Sequence, residues 1–426
     1  MEQNGFSSNP VALGKLRIAM FVDAFPVLSE TFIINQIAGL IDSGHDVDIF
    51  SLEQRLLSTP HAILRDYRLM ERVSYFAHKP KFVLSALSEC LLGVFGNPRW
   101  FTPRGFKLLW RIFDRKHGSW GRLAAFRLAD NDLRAGGYDV VHCQYGGLGE
   151  RVLPLVLNGI IRGRLLTSIR GHDVTQRDRY TPEYYKRLFK HGTCFMPVSD
   201  SLRLRLLELG CEDQKICVVR SGIDCSKFQF QPRKLVKGQP VRLISVGRMV
   251  EMKGFGYAIR AVHQLVRQGF DLRYEIIGDG PLRGKLESQI VDLEIGHNVT
   301  LCGPVSHEDL IQHLIQSHIF VMPSVTASNG ETEGIPNALK EALAHGMPAI
   351  ASLHSGIPEL VDDDVSGFLV RERDVDAMAK KLAVLLLSPS RWPEMGAAGR
   401  QAVAARYDLH VVRESLLACY ARALSE

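Results

Sequence analysis

Two successive runs of strand, turn, helix and strand patterns predict an α/β protein built from two parallel-sheet domains that face one another across a cleft. Three observations carry this. Short apolar, β-rich runs recur at Leu16–Val22, Val47–Leu52, Val140–His142, Leu165–Ile169 and Cys194–Val198, and again at Val241–Gly247, Tyr274–Gly278, Val299–Leu301, Ile319–Met322 and Pro348–Ser352. Helical periodicity falls between them, over 30–43 in the first run and at roughly 255–268, 281–293, 307–316 and 336–346 in the second. Between the runs, Phe228–Pro240 is polar, contains Pro232 and Pro240, and has no helical period, which marks a linker over 229–240 and places the hinge there. The first domain then spans 1–228 and the second 241–405, while a final helix at about 406–426 is free to pack back onto the first.

Composition narrows the class. Of 426 residues, 46% are hydrophobic and 23% charged, the profile of a folded chain rather than a disordered or collagen-like one. The net charge of +6 is too small for this length to single out nucleic acid as a partner. The eight cysteines form no CxxC pair and no Cys/His cluster at metal spacing, so reduced core thiols in a cytoplasmic protein are expected. Met1–Leu13 lacks the basic and apolar stretches of a signal peptide, and no window is apolar for long enough to span a bilayer. Neither secretion nor membrane spanning is expected.

Charge is unevenly placed. Arg65–Arg127 holds 13 Lys/Arg against 4 Asp/Glu, a local excess of +9, among Trp100, Phe101, Phe106, Trp110, Phe113 and Trp120. Such a mixture suits peripheral contact of 65–127 with an anionic membrane surface, here the inner face of the plasma membrane. It equally suits amphipathic helices whose basic faces meet only water.

In open parallel sheets, ligands sit beyond the carboxyl ends of the strands, where helix N-termini offer unpaired N–H groups. The loop Gly247-Arg248-Met-Val-Glu251-Met-Lys253-Gly254 follows the first strand of the second run and places two cations five residues apart. A guanidinium fork and a compact ammonium can neutralise a diphosphate where glycines let the backbone approach. Gly278-Asp279-Gly280-Pro281 opens the next helix, but a tight turn needs those glycines whatever it binds. The richest segment is Ser324–Gly346, with Glu333, Gly334, Ile335 and Pro336 at a helix entrance and Glu341 inside that helix. Glu333 can reach a sugar hydroxyl, the N–H groups of Gly334 and Ile335 can hold an anion, and Glu341 can accept from a ribose diol. Ordinary helix chemistry also favours acids at both places.

Glu333 and Glu341, with seven residues between them, resemble the paired-acid motif of the retaining GT-B glycosyltransferases of family 4. Glu-Gly-Ile-Pro, Glu-Ala-Leu-Ala and Gly346-Met-Pro348 fit the same motif, and Gly247-Arg248, Lys253-Gly254, Gly303, Gly356-Ile-Pro-Glu359 and Gly367-Phe-Leu follow in the family's order. In the first half, Val198-Ser199, Ser221-Gly222-Ile223-Asp224 and Arg170-Gly171-His172-Asp173 resemble its interdomain connection and acceptor-side histidine loop. Where many relatives have Gly-Gly after the first strand, this chain has Phe25-Pro26-Val-Leu-Ser29-Glu30-Thr31-Phe32, which resembles the exopolysaccharide, colanic-acid and lipopolysaccharide branch.

The resemblance implies two Rossmann-like domains and a UDP- or GDP-linked sugar as donor, with no cofactor and no metal. It implies His172 and Glu333 as catalytic residues, Arg248, Lys253, Gly334 and Ile335 on the donor diphosphate, and Glu341 on the ribose. Ser29, Glu30 and Thr31 become acceptor-side candidates, with a growing, lipid-linked glycan as acceptor. It further implies retention by front-face attack, the donor phosphate taking the acceptor proton. The Asp-x-Asp triplets at 46–48, 130–132, 362–364 and 374–376 are assigned to no metal. Two other readings compete. A dinucleotide oxidoreductase would show G-x-G-x-x-G after a first strand, and Gly278-Asp-Gly-Pro-Leu-Arg lacks the third glycine. A non-catalytic glycan- or lipid-binding protein on the same scaffold would be expected to lack motifs that are all present here.

Overall fold

The computed structural model describes residues 13–27, 30–55, 62–76, 83–114 and 121–425. Its first sheet comprises β1 (Arg17–Phe25), β2 (Asp46–Gln54), β3 (Val73–Tyr75), β4 (Val140–Cys143), β5 (Arg164–Ile169) and β6 (Cys194–Pro197), ordered β3-β2-β1-β4-β5-β6. The second comprises β7 (Val241–Val246), β8 (Leu272–Ile277), β9 (Val299–Gly303), β10 (Ile319–Met322), β11 (Ala349–Ser352) and β12 (Gly367–Val370), ordered β12-β11-β10-β7-β8-β9. Strand pairing is parallel throughout both sheets. Each sheet therefore reverses direction once, between β1 and β4 or between β7 and β10, and opens a crevice at that point. Helices cover both faces, which is why β1 is apolar without alternation from Ile18 to Val22, all at 0% exposure. The edge strands β3 and β12 had no counterpart among the expected strands; β3 is Val73-Ser-Tyr75, interrupted by a serine, and β12 opens on Gly367.

The segment 229–240, read above as the linker, packs on the second half. Arg233 is buried and donates to the carbonyls of Ile315 (2.6 Å) and His345 (3.2 Å), and the Gln231 N–H reaches the His345 carbonyl. The chain passes between the halves at two neighbouring points instead. Ile223 N–H donates to Tyr407 O (2.8 Å) and Leu409 N–H returns to Ile223 O (3.1 Å). Beyond this crossing, the helix Leu409–Ser425 lies on the first sheet, where Leu416, Cys419, Tyr420 and Ala423 join the core. Tyr420 Oη sits 2.7 Å from His142 Nδ1, whose Nε2 faces Ser168 Oγ at 2.8 Å; burial pushes this imidazole down to about 3. Cys217 and Cys419 form a disulfide, so the expectation of uniformly reduced cysteines fails for this pair. The two are 202 residues apart, and such a pairing leaves no local spacing signal.

The basic region folds differently from its composition. Trp100 is fully buried, stacked on Phe126 at 5.0 Å and donating to Asp130 Oδ1 at 2.7 Å, so it belongs to the core and not to a surface. Several cations serve as internal clamps. Arg104 and Arg162 meet the fully buried Asp132, Arg99 donates to the carbonyls of Leu133 and Arg134, and Arg111 donates to Asn158 O. Phe106, Trp110 and Phe113 remain 59%, 62% and 59% exposed on one face of the helix Pro103–Asp114. Lys79, Lys81, Arg115, Lys116 and Trp120 lie outside the described residues. No described helix is long and apolar enough to cross a membrane.

Candidate active site

The loops after β7 and β8 are stacked backbone to backbone. Gly247 N–H donates to Ile277 O and Met249 N–H to Asp279 O, at 2.9 and 2.8 Å. A Cβ on Gly278 would fall on the Gly247 carbonyl, and one on Gly280 would lie 2.6 Å from Met249 O, so the glycine turn is required by this approach. Lys253 then runs across Gly247, its Cε 3.0 Å from where a Cβ would stand, and its Nζ reaches Glu333 Oε1 at 2.5 Å. The Arg248 side chain is exposed and makes no hydrogen bond or ion pair among the described residues.

Glu333, Gly334 and Ile335 follow β10 and precede the helix Asn337–Ala344. The Glu333 N–H donates to His354 Nε2 at 3.0 Å, whereas those of Gly334 and Ile335 have no acceptor among the described residues. One cation, Lys253, and two open donors therefore border the Glu333 carboxylate, an arrangement that can hold an anion. Glu341 is half-buried on the same helix, next to Lys340. Lys340 is fully buried and donates to Ser221 O (2.5 Å) and Asn337 Oδ1 (2.8 Å); burial pulls its ammonium down to about 7.

On the facing half, the short helix His172–Thr175 is fixed by Asp173. That carboxylate is 1% exposed and accepts from the N–H groups of Gly146 (2.8 Å), Arg170 (3.0 Å) and Gly171 (2.8 Å). The His172 ring lies against Tyr145 with centroids 5.1 Å apart, and the Tyr145 hydroxyl donates to Glu30 Oε1 at 2.7 Å. Burial raises the Glu30 carboxyl above the ordinary range, against the opposing pull of Tyr145 and Arg170. Burial likewise raises Asp23, with Arg151 (3.6 Å) and His172 opposing it. Thr31 begins the helix Thr31–Asp42, and Ser29 lies outside the described residues. Arg170 stacks over Phe32 at 4.4 Å and donates to Gln144 Oε1 at 2.5 Å.

The two halves touch at these loops. A Cβ on Gly171 would lie 3.6 Å from Thr332 O and 3.7 Å from Gly334 N, and one on Gly334 would lie 3.3 Å from Arg170 O. Thr332 N–H also donates to Thr175 Oγ1 at 3.4 Å. The histidine loop and the Glu333 loop thus meet, and Lys253 joins them through its ion pair. Asp23, Tyr145, His354 and Lys340 escaped the sequence reading, although Asp23 and His354 stand at or just beyond the carboxyl ends of β1 and β11, where chemistry is expected.

This geometry has relatives. The model of Glycosyltransferase Family 4 matches residues 29–227, and that of Glycosyl transferases group 1 matches residues 227–402. The chain is 35% identical over 376 residues to the putative colanic acid biosynthesis glycosyltransferase WcaL of Escherichia coli (strain K12), covering 86% of this chain and 90% of that one. It belongs to the family 4 glycosyltransferases. This glycosyltransferase is also 33% identical over 404 residues to the amylovoran biosynthesis glycosyltransferase AmsK of Erwinia amylovora, covering 94% and 98% of the two chains. Anabaena Alr3699/HepE, solved in complex with UDP, shares the fold with a TM-score of 0.70 at 15% identity, over 96% of this chain and 99% of its own. The architecture of the glycosyltransferase is accordingly GT-B, and the dinucleotide oxidoreductase reading falls.

Proposed function

We propose that this glycosyltransferase moves a sugar from a UDP- or GDP-linked donor, with retention of anomeric configuration, onto a growing, lipid-linked exopolysaccharide or lipopolysaccharide glycan. The observation that carries the reading is the Lys253–Glu333 pair beside the open N–H groups of Gly334 and Ile335, where the second sheet meets the His172 loop. Lys253, Arg248 and those donors would stabilise the departing diphosphate as positive charge grows at the anomeric carbon. Glu333 and His172 would contact the donor sugar, and Glu341 the ribose. The C1–O bond to phosphate breaks while the acceptor oxygen bonds C1 on the same face, and the acceptor proton passes to a donor phosphate oxygen. Positive charge for the leaving group comes from the chain itself on this reading, so EDTA should leave turnover unchanged.

The biosynthetic context is supported by the names of the colanic acid and amylovoran relatives, and the donor class by the UDP complex of the Anabaena protein. Attachment to the inner membrane face is supported by the exposed aromatic stripe Phe106, Trp110 and Phe113, flanked by Lys107. A thermal-shift screen of nucleotide sugars, followed by transfer to lipid-linked glycan and NMR of the new anomeric centre, tests the reading. Glycan binding without transfer from any donor would instead favour the non-catalytic scaffold, and an inverted product would remove the front-face mechanism.

A further inference from the structure

The Glu333 loop is anchored from behind by a pair of side chains that lie outside the sequence motifs. His354 follows β11 and is 1% exposed; Glu372 follows β12. His354 Nδ1 is 2.6 Å from Glu372 Oε1, and His354 Nε2 is 3.0 Å from the backbone nitrogen of Glu333. A peptide N–H can only donate, so Nε2 must be a bare acceptor and the ring proton must sit on Nδ1, facing the carboxylate. The hydrogen-bond direction thus fixes the tautomer. The same carboxylate reaches the other end of the loop: Thr326 N–H donates to Glu372 Oε2 at 2.8 Å and Thr326 Oγ1 to Oε1 at 3.2 Å. Arg373 closes the arrangement by donating to Thr326 O. Burial works against the Glu372 charge, but hydrogen bonds from His354 and Thr326 outweigh it and hold the carboxyl below its ordinary range.

We infer that His354 and Glu372 form a positioning pair that clamps both ends of the 326–333 loop and thereby sets where Glu333 meets Lys253 and the donor. Neither residue needs to touch substrate. The ring acts on the backbone of Glu333, and the carboxylate orients the ring, the same division of labour by which a carboxylate orients a working imidazole elsewhere. This inference rests on the transferase reading only for its effect on turnover; its structural content stands apart from it.

Two substitutions separate the ring's bonds. His354→Gln places an amide oxygen near the position of Nε2 and can still accept from Glu333, whereas His354→Asn places an amide N–H near Nδ1 and can satisfy only Glu372. Hydrogen–deuterium exchange of the full-length chain, read on peptides covering 326–335, should quicken by about three- to tenfold in His354→Asn and stay near wild type in His354→Gln. With a nucleotide sugar that the wild type uses, kcat should fall by at least about tenfold in His354→Asn with a smaller change in donor KM, and recover in His354→Gln. Glu372→Gln should quicken exchange at Thr326 as well as at Glu333. Identical behaviour of the two His354 variants in both measurements, whether wild-type or equally impaired, would overturn the inference, because a merely space-filling histidine does not distinguish its two nitrogens. Loop protection that follows the predicted order, in a wild type that transfers no sugar, would uphold the clamp and defeat the proposed function.

Discussion

Lys253 and Glu333 hold one another at 2.5 Å from opposite loops of one sheet edge, with only 12% and 11% of their side chains exposed. Opposite charges this close and this sheltered interact far more strongly than a surface pair. On the proposed reading, an incoming diphosphate would have to share the ammonium with a carboxylate, and Glu333 would compete with the donor for Lys253 until the sugar gave it another partner.

That competition separates two variants. Lys253→Ala removes a charge-assisted contact and exposes the donor to an unpaired Glu333, so affinity for UDP or GDP should fall by roughly ten- to a hundredfold. Glu333→Gln frees the ammonium, so binding of the same nucleoside diphosphate should hold or tighten while sugar transfer is lost. Isothermal calorimetry and a transfer assay read the two effects, and an equal loss of nucleotide binding in both variants contradicts the account.

Much of the fold was legible because its signals are local and long. Val241–Val246 and Ile319–Met322 are apolar runs bounded by turns, and the helix His307–Gln316 begins at the Ser306 cap, whose hydroxyl accepts from Asp309 N–H. The edge strands β3 and β12 were not: Val73-Ser-Tyr75 is interrupted by a serine, and Gly367-Phe-Leu-Val370 opens on a glycine, so neither starts as a plain apolar run. In the site, glycines and paired acids could be found by spacing, but partnership could not. Lys253 and Glu333 are far apart in sequence, and a single histidine in Leu353-His354-Ser355 looks like any loop residue until Glu333 is seen to bond it. Trp100 misled because an aromatic among basic residues reads alike whether its ring faces lipid or Phe126.

The disulfide Cys217–Cys419 ties the C-terminal helix to the first half across 202 residues of chain. Closing a loop of that length restricts the unfolded chain strongly, and loss of such a bond typically costs about 2–5 kcal/mol. Cys419→Ser, or dithiothreitol on the wild type, should lower the thermal midpoint, and reductant should have no further effect on the variant. A midpoint insensitive to both would mean that the helix is held by Leu416, Tyr420 and Ala423 alone.

The aromatic stripe makes a separate claim. Phe106, Trp110 and Phe113 leave a contiguous apolar face in water, while Arg104 and Arg111 are engaged with Asp132 and Asn158. Membrane contact should therefore depend on the rings more than on these cations. In flotation with phosphatidylglycerol vesicles, Trp110→Ala combined with Phe106→Ala should reduce binding several-fold, and salt should weaken it less than ring removal does. Retained binding by the double variant would remove the stripe from the account.

Lys340 supplies a pH dependence with a definite sign. Its ammonium is pulled from an ordinary 10.5 to about 7 by burial, with Glu341 partly opposing. Between those two values the unfolded chain carries a proton that the folded chain lacks, so folding becomes more favourable as pH rises through this window. The gain is at most about 1.4 kcal/mol per pH unit from this one group. Lys340→Met abolishes the titration but strands Ser221 O and Asn337 Oδ1, so it lowers stability at every pH. The informative quantity is the slope: urea midpoints of wild type and variant at pH 7 and pH 9 should diverge further at the higher pH. A difference that does not change with pH would mean that Lys340 keeps its charge where it lies, with its third proton directed at the Tyr407 ring 5.5 Å away.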